Sequence, residues 1–306
     1  MVSATPRRVL VTGAGGQLGR YLVETLVREG HEPRGIGAHA GPGIDRIVDI
    51  GNAEEVTKAL ADFRPEVVIH AAAYTDVDGC ERDPNRALLV NRDGSAHVAR
   101  AAQEVDAWVL AISTDFVFPG DGGAPYAEDA APNPVSMYGK SKLAGEEAVL
   151  AADERFAVAR TAWVYGGAGK HFPRTVLTVL RDRGEMDVVD DEVGSPTFAG
   201  DLADALVTLA AYTPAGIFHL TNEGSASRYE FAVAVAEAAG VNPERVRPTT
   251  TEAFLARYPL PAKRPPNSTL TNSRAAALGV TLRPWREAVT EYVPKLATEL
   301  ETRDAP

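Results

Sequence analysis

Apolar residues fall in short β-branched runs that alternate with stretches of helical period. Arg8–Thr12 predicts a strand, Gln17–Glu29 a helix and Glu32–Gly37 a second strand. Ala53–Phe63 follows as a helix, with Val56, Ala59, Leu60 and Phe63 on one face. Val67–His70 reads as a strand, Asn85–Val105 as one long helix, Trp108–Ser113 as a strand, Met137–Ala151 as a helix and Phe156–Thr161 as a strand. Repeated β-α-β units with buried strands predict an α/β fold on a Rossmann-type doubly wound parallel sheet.

Beyond Tyr165 the rhythm breaks. Prolines at 173, 196, 214, 243, 248, 259, 261, 265 and 266 punctuate this half, and only Ile217–Leu220 promises another sheet strand. The expected organisation is a first domain over 1–165, with a returning segment around 195–222. A smaller, discontinuous C-terminal α/β lobe over 166–306 would sit on the sheet's carboxyl edge.

Composition narrows the partners. The chain has 306 residues, enough for one large domain or a domain plus a lobe. Its 31 basic and 42 acidic residues give a net charge of −11, which repels nucleic acid and anionic lipid. No apolar run approaches the roughly 20 residues that span a membrane, and the N-terminus does not read as a signal peptide. Cys80 is the single cysteine, so no intrachain disulfide forms; this fits a reducing cytoplasm and a buried or incidental thiol. The six histidines form no HExxH, and no metal site is expected.

Thr12-Gly13-Ala14-Gly15-Gly16-Gln17-Leu18-Gly19 ends the first strand and opens the first helix. Its GxxGxxG spacing suits a dinucleotide. Gly13 permits the tight turn, Gly16 lets backbone approach a pyrophosphate, and Gly19 lets the helix pack on the strand. Free N–H groups of the first helical turn then face the anion. The second strand ends without an acid at its tip. Arg34 and His39 are the nearby cations, which tips the balance to NADPH, with NADH the alternative. Asp49 and Ile50 follow the third strand, where Asp49 would accept from an adenine amino group or act as a helix cap.

Tyr138-Gly139-Lys140-Ser141-Lys142 places Tyr138 and Lys142 on one helical face. An ammonium near a phenol is expected to lower the phenol pKa from about 10, and the tyrosine can give a proton to a carbonyl oxygen. Ser113-Thr114-Asp115 lies at a predicted strand end, where ligands meet an open sheet.

These segments resemble the extended short-chain dehydrogenases and, within them, the dTDP-4-dehydrorhamnose reductases. The resemblance is carried further by Ala71–Asp78, Ser113–Phe118, Tyr138–Glu146, Arg160–Gly166, Gly194–Thr197 and Arg264–Ser268. It implies reduction of the C4 ketone of a dTDP-4-dehydro-6-deoxy-L-hexose to dTDP-L-rhamnose with NADPH or NADH. Thr114, Tyr138 and Lys142 match the catalytic triad. Gly13, Gly16, Gln17, Leu18 and Gly19 match the pyrophosphate loop. Ala71, Ala72 and Ala73 match the small stretch under the cofactor, which Ser113 also borders.

Asn91 matches a buried polar residue near the cofactor, with a capping or core hydrogen-bonding role as the alternative. Thr75, Thr114, Trp163 and Arg264 are the implied substrate contacts, with a core tryptophan as the other reading of Trp163. Phe116 stands where tyrosine is usual, Glu192 where glutamine is usual, and Lys170-His171 where an asparagine pair is common. These departures leave the chemistry intact and the sugar open. Some members of that family are linked to Mg2+ and to homodimers, but no acidic metal cluster stands out. A sibling dTDP-deoxysugar ketoreductase and a non-catalytic NAD(P)-binding regulatory subunit remain the competing readings.

Overall fold

Seven parallel strands form the main sheet of the computed structural model, which describes residues 5–303. The outermost residues of the expected domain bounds, 1–4 and 304–306, lie outside these. The strands are β1 Arg8–Thr12, β2 Glu32–Gly37, β3 Arg46–Ile47, β4 Val67–His70, β5 Trp108–Thr114, β6 Ala157–Thr161 and β7 Gly216–His219. Their spatial order is β7-β6-β5-β4-β1-β2-β3. The chain runs outward from β1 through β2 and β3, then crosses back to β4 on the other side. The carboxyl ends of β1 and β4 therefore border the topological switch point, the ordinary ligand crevice of such sheets.

Both faces of β1, β4, β5 and β6 are largely buried, whereas β2 and β3 at the edge are partly exposed. Leu10, Val11, Val68, Ile69, Val109, Leu110 and Val158 form the centre of the main core. Helix Gln17–Arg28 packs against Ala199–Tyr212, while Ala53–Phe63, Gly94–Glu104 and Met137–Ala152 pack side by side. A second core gathers Tyr165, Val176, Leu180, Phe231, Val235, Trp285 and Val293. It carries helices Phe172–Arg183, Arg228–Ala238 and Trp285–Arg303, and a parallel pair of Met186–Val189 with Val246–Thr249. Among the described residues no helix is long and apolar enough to cross a membrane.

The single helix expected over Asn85–Val105 is broken. Pro84–Leu88 is α-helical, Leu89–Asp93 is a π turn, and Gly94–Glu104 resumes the α-helix. The wider turn carries Asn91, whose side chain bonds Tyr74 and Ser141. Such π turns are frequent at functional sites.

Helix Met137–Ala152 starts on Ser136, whose hydroxyl accepts from the Gly139 N–H at 3.1 Å. Its buried face is mostly small or polar: Gly139, Ser141, Lys142, Gly145, Glu146 and Val149. A side chain at Gly145 would place its Cβ 2.3 Å from the Asn91 carbonyl oxygen, so the helix lies directly on the π turn. Gly145→Val is expected to overpack this contact at a cost of about 1–3 kcal/mol, lowering the melting temperature by roughly 3–10 °C. An unchanged thermal unfolding curve would show that this approach is not limiting.

Candidate active site

A cleft of about 1960 Å³ opens over the carboxyl ends of β1, β4 and β5 and runs on into the second lobe. Typical small-molecule pockets occupy roughly 300–1,000 Å³, so this cleft has room for two ligands.

One end is the glycine loop. Gly13 has φ 67°, and a Cβ there would lie 2.8 Å from the Ala72 backbone, so the turn and the close approach both require glycine. No side chain caps the helix at Gly16, and Gly16, Gln17, Leu18 and Gly19 line the cleft. The Gly16 N–H donates to the Gly13 carbonyl at 2.9 Å, and the first-turn N–H groups that follow it make an anion site. Gln17 Nε2 is buried without a partner among the described residues, an orphaned donor at the loop. The loop thus fits a dinucleotide pyrophosphate.

The tip of β2 continues the groove through Gly37, Ala38, His39, Ala40 and Gly41, with no carboxylate among them. His39 faces this groove. Arg34 turns away, 3.5 Å from Asp45 and over the Phe63 ring. Asp49 and Ile50 also line the cleft. One Asp49 oxygen accepts from the Gly51 N–H at 2.9 Å, while Asn52 caps the following helix.

Ala71, Ala72, Ala73 and Thr75 line the end of β4. A buried polar chain holds this segment. Ala72 N–H donates to Thr12 Oγ1 at 3.1 Å, Thr12 Oγ1 meets His70 Nδ1 at 2.7 Å, and His70 Nε2 meets Ser95 Oγ at 3.1 Å. Burial, then the Lys142 charge, pushes the His70 pKa down to about 3, so the ring is neutral. Asn91 lies outside the cleft lining. Its amide bonds the Tyr74 carbonyl at 3.0 Å and Ser141 Oγ at 2.9 Å, and its oxygen accepts from the Tyr74 N–H at 2.8 Å. The side chain joins the end of β4 to the helix bearing Tyr138, which is the core hydrogen-bonding role.

Ser113, Thr114, Tyr138 and Lys142 converge at the middle of the cleft. The Ser113 hydroxyl donates to Glu146, which also holds the buried Arg160 at 2.6 Å. The Thr114 hydroxyl acts on the Tyr138 phenol, opposing the rise in its pKa. Phe116 meets the Tyr138 ring edge-on at 5.6 Å between centroids. Lys142 Nζ donates to the Ile112 carbonyl at 2.7 Å.

The lowered phenol pKa expected from the lysine does not arise here. Burial raises the Tyr138 pKa, with Asp115 and Cys80 adding to the rise, and Lys142 is not among the charges acting on it. Burial also lowers Lys142 to about 8, with Glu146 opposing. Asp115, given no role by the sequence pattern, is buried here. Its pKa is pushed up to about 6 by burial, against hydrogen bonds from Ser268 at 2.5 Å and Thr114 at 3.0 Å.

The far end belongs to the second lobe. Trp163 sits at φ 45°, a strained conformation for a bulky residue, and lines the cleft while packing into the second core. Arg264 also lines the cleft, but its guanidinium is tied to Asp78 at 2.8 Å and the Ala262 carbonyl at 2.9 Å. Sequence reasoning missed Arg228, which lines the cleft beside Trp163, and the anchoring role of Glu146. Glu146 sits four residues after Lys142 and eight after Tyr138, a helical spacing that could have revealed it. No local pattern marks Arg228.

Comparison with known proteins matches this architecture along nearly the whole chain. A dTDP-4-dehydrorhamnose reductase from Mycolicibacterium smegmatis is 43% identical over 291 residues, covering 94% of this chain and 85% of its own. A probable dTDP-4,6-dihydroxy-2-methyloxan-3-one 4-ketoreductase from Streptomyces antibioticus is 41% identical, covering 94% of this chain and 95% of its own. The crystal structure of dTDP-4-dehydrorhamnose reductase from Bacillus anthracis in complex with NADP superimposes with a TM-score of 0.86 at 34% identity, covering 95% of this chain and 100% of that one. With residues 7–298 matching the family described as RmlD substrate binding domain, the chain belongs to that family of reductase-like proteins.

Proposed function

We propose that this chain reduces the C4 ketone of a dTDP-4-dehydro-6-deoxy-L-hexose to dTDP-L-rhamnose, the last step of dTDP-rhamnose synthesis, with NADPH as reductant. The observation that carries the reading is the convergence of Thr114, Tyr138 and Lys142 between the glycine loop and the second lobe. The bare tip of β2 and the NADP-bound relative favour NADPH over NADH.

When bound, the reduced nicotinamide supplies hydride. The chain's own residues handle the proton. Tyr138, kept protonated by burial and by Asp115, gives its proton to the ketone oxygen. Thr114 holds that oxygen against the phenol. Lys142, fixed on Ile112, keeps further N–H donors for the cofactor ribose and the phenol oxygen. Gly13, Gly16, Gln17, Leu18, Gly19, Asp49, Ile50 and Ala71–Ala73 form the cofactor's bed, and Thr75 and Trp163 border the sugar. Arg264 serves the substrate only through its pairing with Asp78.

A second reading, a sibling 4-ketoreductase acting on another dTDP-deoxysugar, is favoured by the Streptomyces antibioticus relative and by Phe116 and Glu192. The deciding assay follows loss of reduced-nicotinamide absorbance with dTDP-4-dehydro-L-rhamnose generated in situ, NADPH and NADH being supplied in parallel. Rapid oxidation with dTDP-L-rhamnose as product is expected. Cofactor binding without oxidation would turn the assignment to the sibling sugar, and silence on every dTDP-ketosugar to a regulatory subunit.

Tyr138→Phe should cut kcat by about 10²–10⁴ while leaving the NADPH dissociation constant unchanged. Normal turnover in that variant would refute the proton-donor role. Protonated Lys142 is needed in this scheme, and it loses its proton as pH rises through about 8. The value of kcat/KM is therefore expected to fall about tenfold per pH unit above that point, and Lys142→Arg, always charged, should remove the fall. A profile flat to pH 10 in the unmodified enzyme would contradict it.

A further inference from the structure

One cation in the cleft is not used by the proton chemistry. Arg228 opens helix Arg228–Ala238 immediately after Ser227, which forms a capping box with Glu230. Its backbone is further tied by its N–H donating to the Glu192 carbonyl at 3.0 Å. Its guanidinium lies 3.5 Å from the centre of the Trp163 ring and 5.3 Å from that of Phe172. Gly194 makes room for this stack, since a Cβ there would lie 2.3 Å from the Trp163 indole.

The guanidinium makes no hydrogen bond among the described residues. The nearest carboxylate oxygen, on Glu192, is 3.9 Å away, and the two side chains are only 21% and 12% exposed. Arg264 and Arg20, which share the cleft, already donate to Asp78 and to the Gly15 carbonyl. A largely buried guanidinium without a hydrogen-bond partner is costly unless one arrives. Arg228 and Trp163 line the same cleft as Thr114, Asp115 and Tyr138, and Asp115 feels the Arg228 charge.

Arg264 shares this end of the cleft, but Asp78 takes its charge at 2.8 Å and Glu192 stands 3.9 Å from Arg228, so the cluster carries no excess of positive charge for a pyrophosphate. A planar donor fork beside carboxylate acceptors instead suits neutral vicinal hydroxyls. We propose that Arg228, stacked on Trp163 beside Glu192, is the specificity-determining residue that reads the ring hydroxyls of the sugar. The proposal rests on the sugar-nucleotide reading above.

The test is calorimetric and independent of turnover. Binding of dTDP, of dTDP-L-rhamnose and of its 2-deoxy analogue is measured on the NADP-loaded wild type, on Arg228→Met and on Arg228→Gln. Methionine keeps apolar contact with Trp163, and glutamine guards against a poorly folded methionine variant; thermal melting and the NADP dissociation constant report folding. The wild type is expected to bind dTDP-L-rhamnose about 10- to 100-fold more tightly than dTDP, and the 2-deoxy analogue in between. In either variant the preference for the hydroxylated sugar should collapse, with dTDP affinity unchanged within about twofold. Equal weakening of all three ligands would assign Arg228 to the pyrophosphate and overturn the proposal. An undiminished sugar preference would leave Arg228 a structural cover for Trp163 and overturn it too. A wild type that binds dTDP but gains nothing from the sugar refutes this inference alone, whereas one that binds none of the three refutes the sugar-nucleotide reading with it.

Discussion

One buried ion pair sets where the reaction happens. Arg160 on β6 and Glu146 on the helix Met137–Ala152 are 2% and 3% exposed and meet at 2.6 Å, and Ser113 on β5 donates to the same carboxylate. Two charges taken out of water are tolerated only when geometry and extra hydrogen bonds repay the desolvation; removing one partner of such a pair typically costs about 3–5 kcal/mol. The pair therefore admits one register of the helix against the sheet. One turn toward the N-terminus, Lys142 lands on the Ile112 carbonyl, and one turn further Tyr138 meets Thr114 at the end of β5. The same carboxylate that fixes the helix also opposes the loss of charge that burial imposes on Lys142.

The electrostatics of the site follow from dryness more than from pairing. Burial is the largest influence on Tyr138, Lys142, His70 and Asp115, and in each case it favours the uncharged form. For a proton donor this is the useful direction. A phenol that stays protonated through the neutral range holds its proton until charge develops on the substrate oxygen. The i, i+4 spacing of Tyr138 and Lys142 suggested a phenolate stabilised by an ammonium, but spacing along a helix says nothing about which carbonyl the ammonium reaches first.

β1, β4 and β5 were legible because each is a short apolar run, and β4 begins and ends where that pattern does, whereas β3, only Arg46–Ile47, carries no such run. The glycine loop, Thr114, Tyr138 and Lys142 were legible because each is a local motif at a strand or helix end. Other features depend on tertiary contacts that leave no periodic trace. The π turn at Leu89–Asp93 exists because Asn91 bridges Tyr74 and Ser141, residues far apart in sequence. Arg264 was marked by its motif and Arg228 by nothing; only the fold shows that Asp78 holds the first while the second makes no hydrogen bond among the described residues.

That difference changes how the departures from the family pattern are understood. Glu192, in place of glutamine, brings a negative charge within 3.9 Å of Arg228, and burial raises its pKa while that arginine lowers it. A glutamine would leave the guanidinium with no counter-charge on this side. Phe116, where the resemblance expects a tyrosine, lies edge-on to Tyr138 and offers it no hydroxyl. Phe116 packs against Tyr138 and its N–H donates to Thr114 Oγ1 at 3.2 Å, whereas Glu192 sits beside Arg228 at the second-lobe end of the cleft. The Glu192 end of the cleft is therefore free to vary while Tyr138 stays where the Arg160–Glu146 pair holds its helix.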